Sequence, residues 1–273
     1  VQAPGGPTLH FLYQKDSTLD NWKRLPPFVI KMFQLMDQQF GRYPYEQFSV
    51  IQGGDGGMEY PMATLVTARG NLPGLVSVTV HEAIHNWYYG MLATNEAKYP
   101  WMDEGFTTYA QYRILDQLWN SRKPNPHDRS YGAYFKLLQD GKPEPLTTHA
   151  DHYETNRTYG VNAYFKGATF LHQLSYIIGQ SAFDRGMLAY FEQWKFRHPT
   201  PNDFIRVMER ASSLELSWYL DLWTGTLQTI DYGIQAVTSD GGETEVTLIR
   251  TGQLPMPLDV VVTYKDGKKE VYY

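Results

Sequence analysis

The segment HEAIHNWYYGMLATNEAKYPWMDEGF, His81 to Phe106, constrains the architecture of this chain more than any other stretch. Residues four apart share one face of an α-helix, so His81 and His85 can offer two imidazole nitrogens to one ion at about 2.0–2.1 Å. Glu82 is displaced in angle from His81 yet lies three residues before His85. Its carboxylate can therefore face a water on the ion instead of the ion itself. Eighteen residues separate His85 from Glu104. A catalytic zinc takes three protein ligands and keeps one position open, and a short antiparallel connection into a second helix would return Glu104 to the histidines as the third. Such a zinc lowers the pKa of its water toward about 7, and a neighbouring carboxylate then accepts the proton during attack on a carbonyl. The bland alternative is a surface helix with two unrelated histidines, which gives Glu104 no role.

Cysteine is absent from the 273 residues, which removes disulfides, thiolate metal sites and a cysteine nucleophile together. His, Asp and Glu are the strong metal ligands that remain. A formal net charge of -5, with Lys and Arg scattered, gives no electrostatic reason to expect nucleic acid or an anionic membrane surface as partner. No apolar run approaches the length of a membrane span. The length predicts one large domain with a smaller unit, or two modest domains. The opening VQAPGGPTLHFLYQ has neither an initiator Met nor a signal-peptide pattern, so it reads as a processed or excised segment and leaves the compartment open. Lack of cysteine leans toward an exported bacterial protein, periplasmic or secreted.

Apolar spacing predicts a helix from Asp20 to Gln39 and one from Trp101 to Trp119 despite Gly105, and Leu75 to Leu92, without internal Gly or Pro until Gly90, is long enough for another. QFSVIQ (Gln47 to Gln52) and MATLVTA (Met62 to Ala68) read as strands bracketing a glycine-rich loop, GGDGGMEYP. YGAYFKLL reads as a short helix between the loops SRKPNPHDRS and DGKPEPLTTHADHYETN. Helical character returns over Tyr164 to Ile178, Ser181 to Trp194, Asn202 to Ala211 and Leu216 to Trp223. From Ile230 the texture becomes β, with GG and DG turns and a last strand, KKEVYY, running to Tyr273. The boundaries that follow are residues 1–228 for a catalytic domain and 229–273 for a separate β-unit. His149, Asp151 and His152 in HADHY could form a second metal cluster, although a solvated loop explains them as well. Trp87, Tyr88, Tyr89 and Trp101 are read as packing.

HExxH, eighteen residues, then Glu within WMDEGF resembles the aminopeptidase N family of zinc metallopeptidases, the gluzincins. GGMEYP, Gly56 to Pro61, resembles the family's GxMEN motif, and YFKGA, Tyr164 to Ala168, resembles its YxKGA motif. All three stand in the family's order. The resemblance implies an α+β fold: a thermolysin-like, mostly helical catalytic domain with a small mixed sheet, followed by a partial β-sandwich. It implies one Zn2+ held by His81, His85 and Glu104, with Glu82 as general base and Tyr164 donating to the oxyanion. Gly56, Gly57, Met58 and Glu59 would hold the peptide, Glu59 by its α-amine, and Tyr159 would play a secondary part. The partners implied are peptides with a free N-terminus, and the family's preceding β-domain would add to the native site. Two positions depart from the pattern: Tyr60 and Asp103 stand where Asn is commoner. The rival readings are a thermolysin-type endopeptidase and a zinc-stabilised scaffold or binding module without catalysis.

Overall fold

Proline placement decides where the first helices begin. The computed structural model describes residues 1–67 and 70–272. Helix α1 (Leu19–Arg24) and helix α2 (Pro26–Gln39) meet at Leu25, where a single helix was expected. Pro26 and Pro27 lack the N–H that a helix interior requires and suit only a first turn, so the chain starts a new helix there. Val29, Met32, Phe33 and Met36 recur at i, i+3, i+4 and i+7 and are all buried. Phe33 meets Phe48 at 5.4 Å and Trp87 at 5.7 Å between ring centroids, joining α2 to the sheet and to the segment Asn86–Met91.

The sheet has four strands in the order β1 (Thr8–Leu12), β2 (Gln47–Gln52), β4 (Ala63–Val66), β3 (Gly57–Tyr60). β1 and β4 both run parallel to β2, and α1 and α2 supply the crossover that a parallel pair needs. β1 was not foreseen. β3 corrects the reading of GGDGGMEYP as a loop: Gly57 to Tyr60 pairs antiparallel with β4, Gly57 opposite Val66 and Glu59 opposite Thr64. Four residues, one of them glycine, are too few to show period-two alternation, which is why the strand was not visible. The expected strand over Met62 to Ala68 is realised as Ala63–Val66, and its last residue, Ala68, lies outside the described residues.

Helices fill the rest of the chain to Gly225: α3 (Leu72–Ile84), α4 (Pro100–Trp119), α5 (Asp128–Gln139), α6 (Asn156–Gly160), α7 (Gly167–Ile178), α8 (Gln180–Trp194), α9 (Pro201–Ser212) and α10 (Ser217–Gly225). Asn71 caps α3 by accepting the Gly74 N–H at 3.0 Å, and Thr200 with Asp203 forms a capping box on α9. The helix expected to reach Leu92 ends at Ile84. A π-type segment, Asn86–Met91, follows, in which Tyr89 takes φ 103°. Trp87 and Tyr88 continue the apolar pattern into the core, so periodicity alone does not register the break. A second π-type segment, Val161–Lys166, opens the helical run that ends in α7.

The first half of α4 is buried on every side, and it crosses the Val161–Lys166 segment and α7 at two glycines. A Cβ on Gly105 would stand 2.8 Å from the Gly167 Cα and 2.9 Å from the Ala163 carbonyl oxygen, so only glycine permits this approach. After α10 come two antiparallel hairpins, β5 (Tyr232–Asp240) with β6 (Glu243–Arg250) and β7 (Val260–Thr263) with β8 (Lys269–Tyr272). Gly241 and Gly242 both have positive φ, as a two-residue hairpin turn of the mirror-image type requires. Tyr273, the expected end of the last strand, lies outside the described residues. The fold is α+β, about half helical, with small sheets.

Candidate metal centre and catalytic cleft

His81 lies in the last turn of α3 and His85 caps it, while Glu104 lies in the first turns of the buried α4. Their donor atoms converge: His81 Nε2 is 3.2 Å from His85 Nε2 and 3.1 Å from Glu104 Oε2, and His85 Nε2 is 3.3 Å from the same oxygen. Tetrahedral coordination at about 2.0–2.2 Å separates ligand atoms by about 3.3–3.6 Å. Two imidazole nitrogens and one carboxylate oxygen at these separations fit a single zinc ion. As a hydrogen-bond network they fit poorly, since the two facing Nε2 atoms can share only one proton.

The outer nitrogens are also held. His85 Nδ1 lies 2.6 Å from Asp103 Oδ1, with both side chains buried, and His81 Nδ1 lies 3.2 Å from Gln111 Oε1. Gln111 in turn donates to the Ser77 carbonyl at 2.9 Å. Partners of this kind fix ring orientation and keep Nε2 aimed at the ion. The sequence reading assigns neither residue this part. Gln111 stands seven positions after Glu104, on the same face of α4, and that spacing is the signal that points to it. Burial opposes ionisation of both carboxyls of the pair Asp103 and Glu104. Hydrogen bonds from His81 and His85 nevertheless hold Glu104 well below the usual carboxylate range, while Asp103 is pushed up to about 7.

Glu82 is 7% exposed and its carboxylate makes no hydrogen bond among the described residues. Burial pushes its carboxyl up to about 7, against the pull of His81 and His85. Gly57 on β3 faces it closely: a Cβ there would stand 2.1 Å from Glu82 Oε1. A Gly57→Ala variant is therefore expected to displace the Glu82 carboxylate while leaving the three donor residues in place. Misplacement by about 1 Å costs roughly 10²-fold in rate. Zinc content equal to wild type with kcat reduced to that degree is the expected pairing, and unchanged kcat would show that Glu82 does not depend on the contact.

Tyr164, in the Val161–Lys166 segment, donates its hydroxyl to Glu104 Oε1 at 2.6 Å and stacks its ring on His81 at 5.6 Å. Burial and the Glu104 charge push its pKa up, so it stays a proton donor. Glu59 on β3 is half-buried, and one carboxylate oxygen from Glu59, one from Glu82 and a His85 nitrogen all lie within 4.8 Å of one another. These residues, with Gly57, Met58 and Tyr159, line a cleft of about 390 Å³. Gly56 stands apart from the lining: its N–H donates to Thr67 Oγ1 at 2.9 Å and its carbonyl accepts from the Thr67 N–H at 2.7 Å. His149, Asp151 and His152 do not converge. They form an exposed turn with His149 Nδ1 3.8 Å from Asp151, as the loop reading expected. Trp87, Tyr88 and Trp101 are core residues, and Tyr89 lines a small side pocket with Tyr60 beside His85.

Comparison with known proteins agrees with this geometry. Rat aminopeptidase B is 30% identical over 159 residues, covering 55% of this chain and 24% of that protein. Rat glutamyl aminopeptidase is 25% identical over 222 residues, covering 77% of this chain and 22% of its own length. The chain thus spans about a quarter of the length of the curated relatives it matches. Among solved structures, the M1 zinc metallopeptidase from Deinococcus radiodurans superposes with a TM-score of 0.59 at 22% identity, over 73% of this chain and 43% of that one. The pattern of the peptidase family M1 domain matches residues 29–223, which include every residue named above around the cleft, and the chain belongs to that family.

Proposed function

We propose that the chain carries the catalytic unit of a zinc-dependent aminopeptidase, which removes N-terminal residues from peptides. The observation that carries this reading is the distance from Glu59 to the rest of the site. Its carboxylate lies within 4.8 Å of donor atoms on Glu82 and His85. The α-nitrogen and carbonyl carbon of one residue are about 2.5 Å apart, given bonds of about 1.46 and 1.52 Å. A substrate amine held at Glu59 therefore brings the first peptide carbonyl, and no later one, to the ion-binding residues.

Zinc, when bound, supplies Lewis-acid stabilisation of the developing oxyanion and makes water a better nucleophile. His81, His85 and Glu104 would hold it, with Asp103 and Gln111 orienting the two rings. Glu82 would take the proton of the attacking water and return it to the leaving amine, a transfer suited to a buried carboxylate titrating near neutrality. Tyr164 would turn its hydroxyl from Glu104 to the oxyanion. Gly57, Met58 and Tyr159 would flank the bound residue, with Gly56 holding the β3 turn. The unit so described is the thermolysin-like one expected for residues 1–228, and residues 229–273 would open a β-sandwich.

The test compares a free-amine peptide with its N-acetyl counterpart on zinc-loaded protein. Losing a charge-assisted hydrogen bond of about 1.5–3 kcal/mol predicts a fall of roughly 10–150-fold in kcat/KM on acetylation. Equal cleavage of both would make the enzyme an endopeptidase.

A further inference from the structure

Lys166, the middle residue of YFKGA, has no part in the chemistry described above. It is 3% exposed, and no carboxylate pairs with it among the described residues. Its ammonium meets the Glu144 carbonyl oxygen at 3.4 Å and lies 5.8 Å from the centroid of the Tyr134 ring. Burial pushes its pKa down to about 8, so the fold holds this charge at a cost. A methionine would fill the same space without it, and exchanging a buried charge for an apolar chain of similar volume is commonly neutral or stabilising. A second side chain reaches the same atom. Asn162, fully buried, donates from Nδ2 to the Glu144 carbonyl at 2.8 Å.

Asn162 and Lys166 stand four residues apart on one face of the Val161–Lys166 segment, and Tyr164 stands midway between them on the other. The two faces meet different walls: Asn162 and Lys166 face Glu144 and Tyr134, while Tyr164 faces Glu104 and His81. The Glu144 carbonyl is a fixed reference. Glu144 lies between Pro143 and Pro145, and a residue before proline is held to extended backbone. Just beyond, Leu146 is fully buried and the Thr147 N–H bonds to the Thr224 carbonyl at 3.1 Å. The segment itself is π-type, its Gly167 N–H reaching back five residues to the Asn162 carbonyl, and such turns are rare and recur at functional sites. We propose that Asn162 and Lys166 are positioning residues, which clamp this segment to the Glu144 carbonyl and so set the aim of the Tyr164 hydroxyl from behind. Two donors on one carbonyl fix a rotation where one would leave a pivot. Neither residue lines the cleft. The inference rests on the aminopeptidase reading, in which that hydroxyl serves the oxyanion, and adds the groups that hold it there.

The test is a double-mutant cycle on zinc-loaded protein with an aminoacyl p-nitroanilide as substrate. Tyr164→Phe is expected to lower kcat roughly 10²–10³-fold. Lys166→Met should lower kcat roughly tenfold to a hundredfold, with KM within about threefold of wild type. Zinc content should stay the same and the melting temperature should not fall. In the Tyr164→Phe background the same change should alter kcat by less than about twofold, because no hydroxyl is left to aim. Asn162→Leu, which removes the other donor and keeps the lysine, should repeat the pattern. Equal losses in both backgrounds, or a Lys166→Met protein whose melting temperature dropped along with kcat, would make these residues part of the scaffold and overturn the proposal. Unchanged kcat in both single variants would overturn it too, while a slow Tyr164→Phe would leave the aminopeptidase reading standing. Should Tyr164→Phe turn over as fast as wild type, the oxyanion role falls and the clamp with it. Should wild type cleave nothing, the aminopeptidase reading itself falls.

Discussion

Replacing Glu82 by Gln is expected to lower kcat roughly 10²–10⁴-fold while the protein keeps its full complement of zinc. The amide matches the carboxylate in shape and cannot accept the proton of the attacking water. None of the three donor atoms changes, since Glu82 makes no hydrogen bond to His81, His85 or Glu104. Metal analysis and turnover on the same preparation separate the two effects. A Glu82→Gln protein that is zinc-loaded and fully active would remove Glu82 from the chemistry. Loss of zinc along with activity would instead place Glu82 among the groups that hold the ion.

Stripping the ion with a chelator is expected to abolish activity, and one equivalent of zinc to restore it. Folding should survive, because the core around Phe33, Trp87, Phe106 and Phe170 is packed independently of the ion. Stability should fall all the same. A ligand present at about 1,000 times its dissociation constant contributes about 4 kcal/mol. For a domain of this size that corresponds to a melting temperature lower by roughly 8–16 °C. Calorimetry with and without zinc measures it. Activity that persisted after complete metal removal would contradict the assignment of His81, His85 and Glu104.

The convergence of His81, His85 and Glu104 was legible because helix geometry turns sequence spacing directly into spatial proximity. His81 and His85 needed only one helix, and Glu104 only one antiparallel return. Glu59 and Tyr164 could be located by resemblance, not by spacing, since their placement depends on a hairpin and a helix crossing that no local pattern encodes. The β3 strand escaped notice because Gly57 has no side chain to show its facing, yet that missing side chain makes room for Glu82. The end of α3 escaped for the opposite reason. Trp87 and Tyr88 carry on an apolar rhythm through a segment whose backbone leaves the helix.

Gly105 reads in the sequence as a weak point in a helix. In the fold it adjoins Glu104, and its neighbour across the crossing, Ala163, adjoins Tyr164. Glu104 and Tyr164 are thus referenced to one another by a glycine contact, and the 2.6 Å bond between them spans that crossing. A single methyl at position 105 or 167 would work as a wedge, tilting the tyrosine away while both histidines stay on their own helix. Ion loading and catalytic competence can then drift apart through changes that touch neither the ion nor the peptide. Descendants of this fold could fall silent by that route with every ligand still in place.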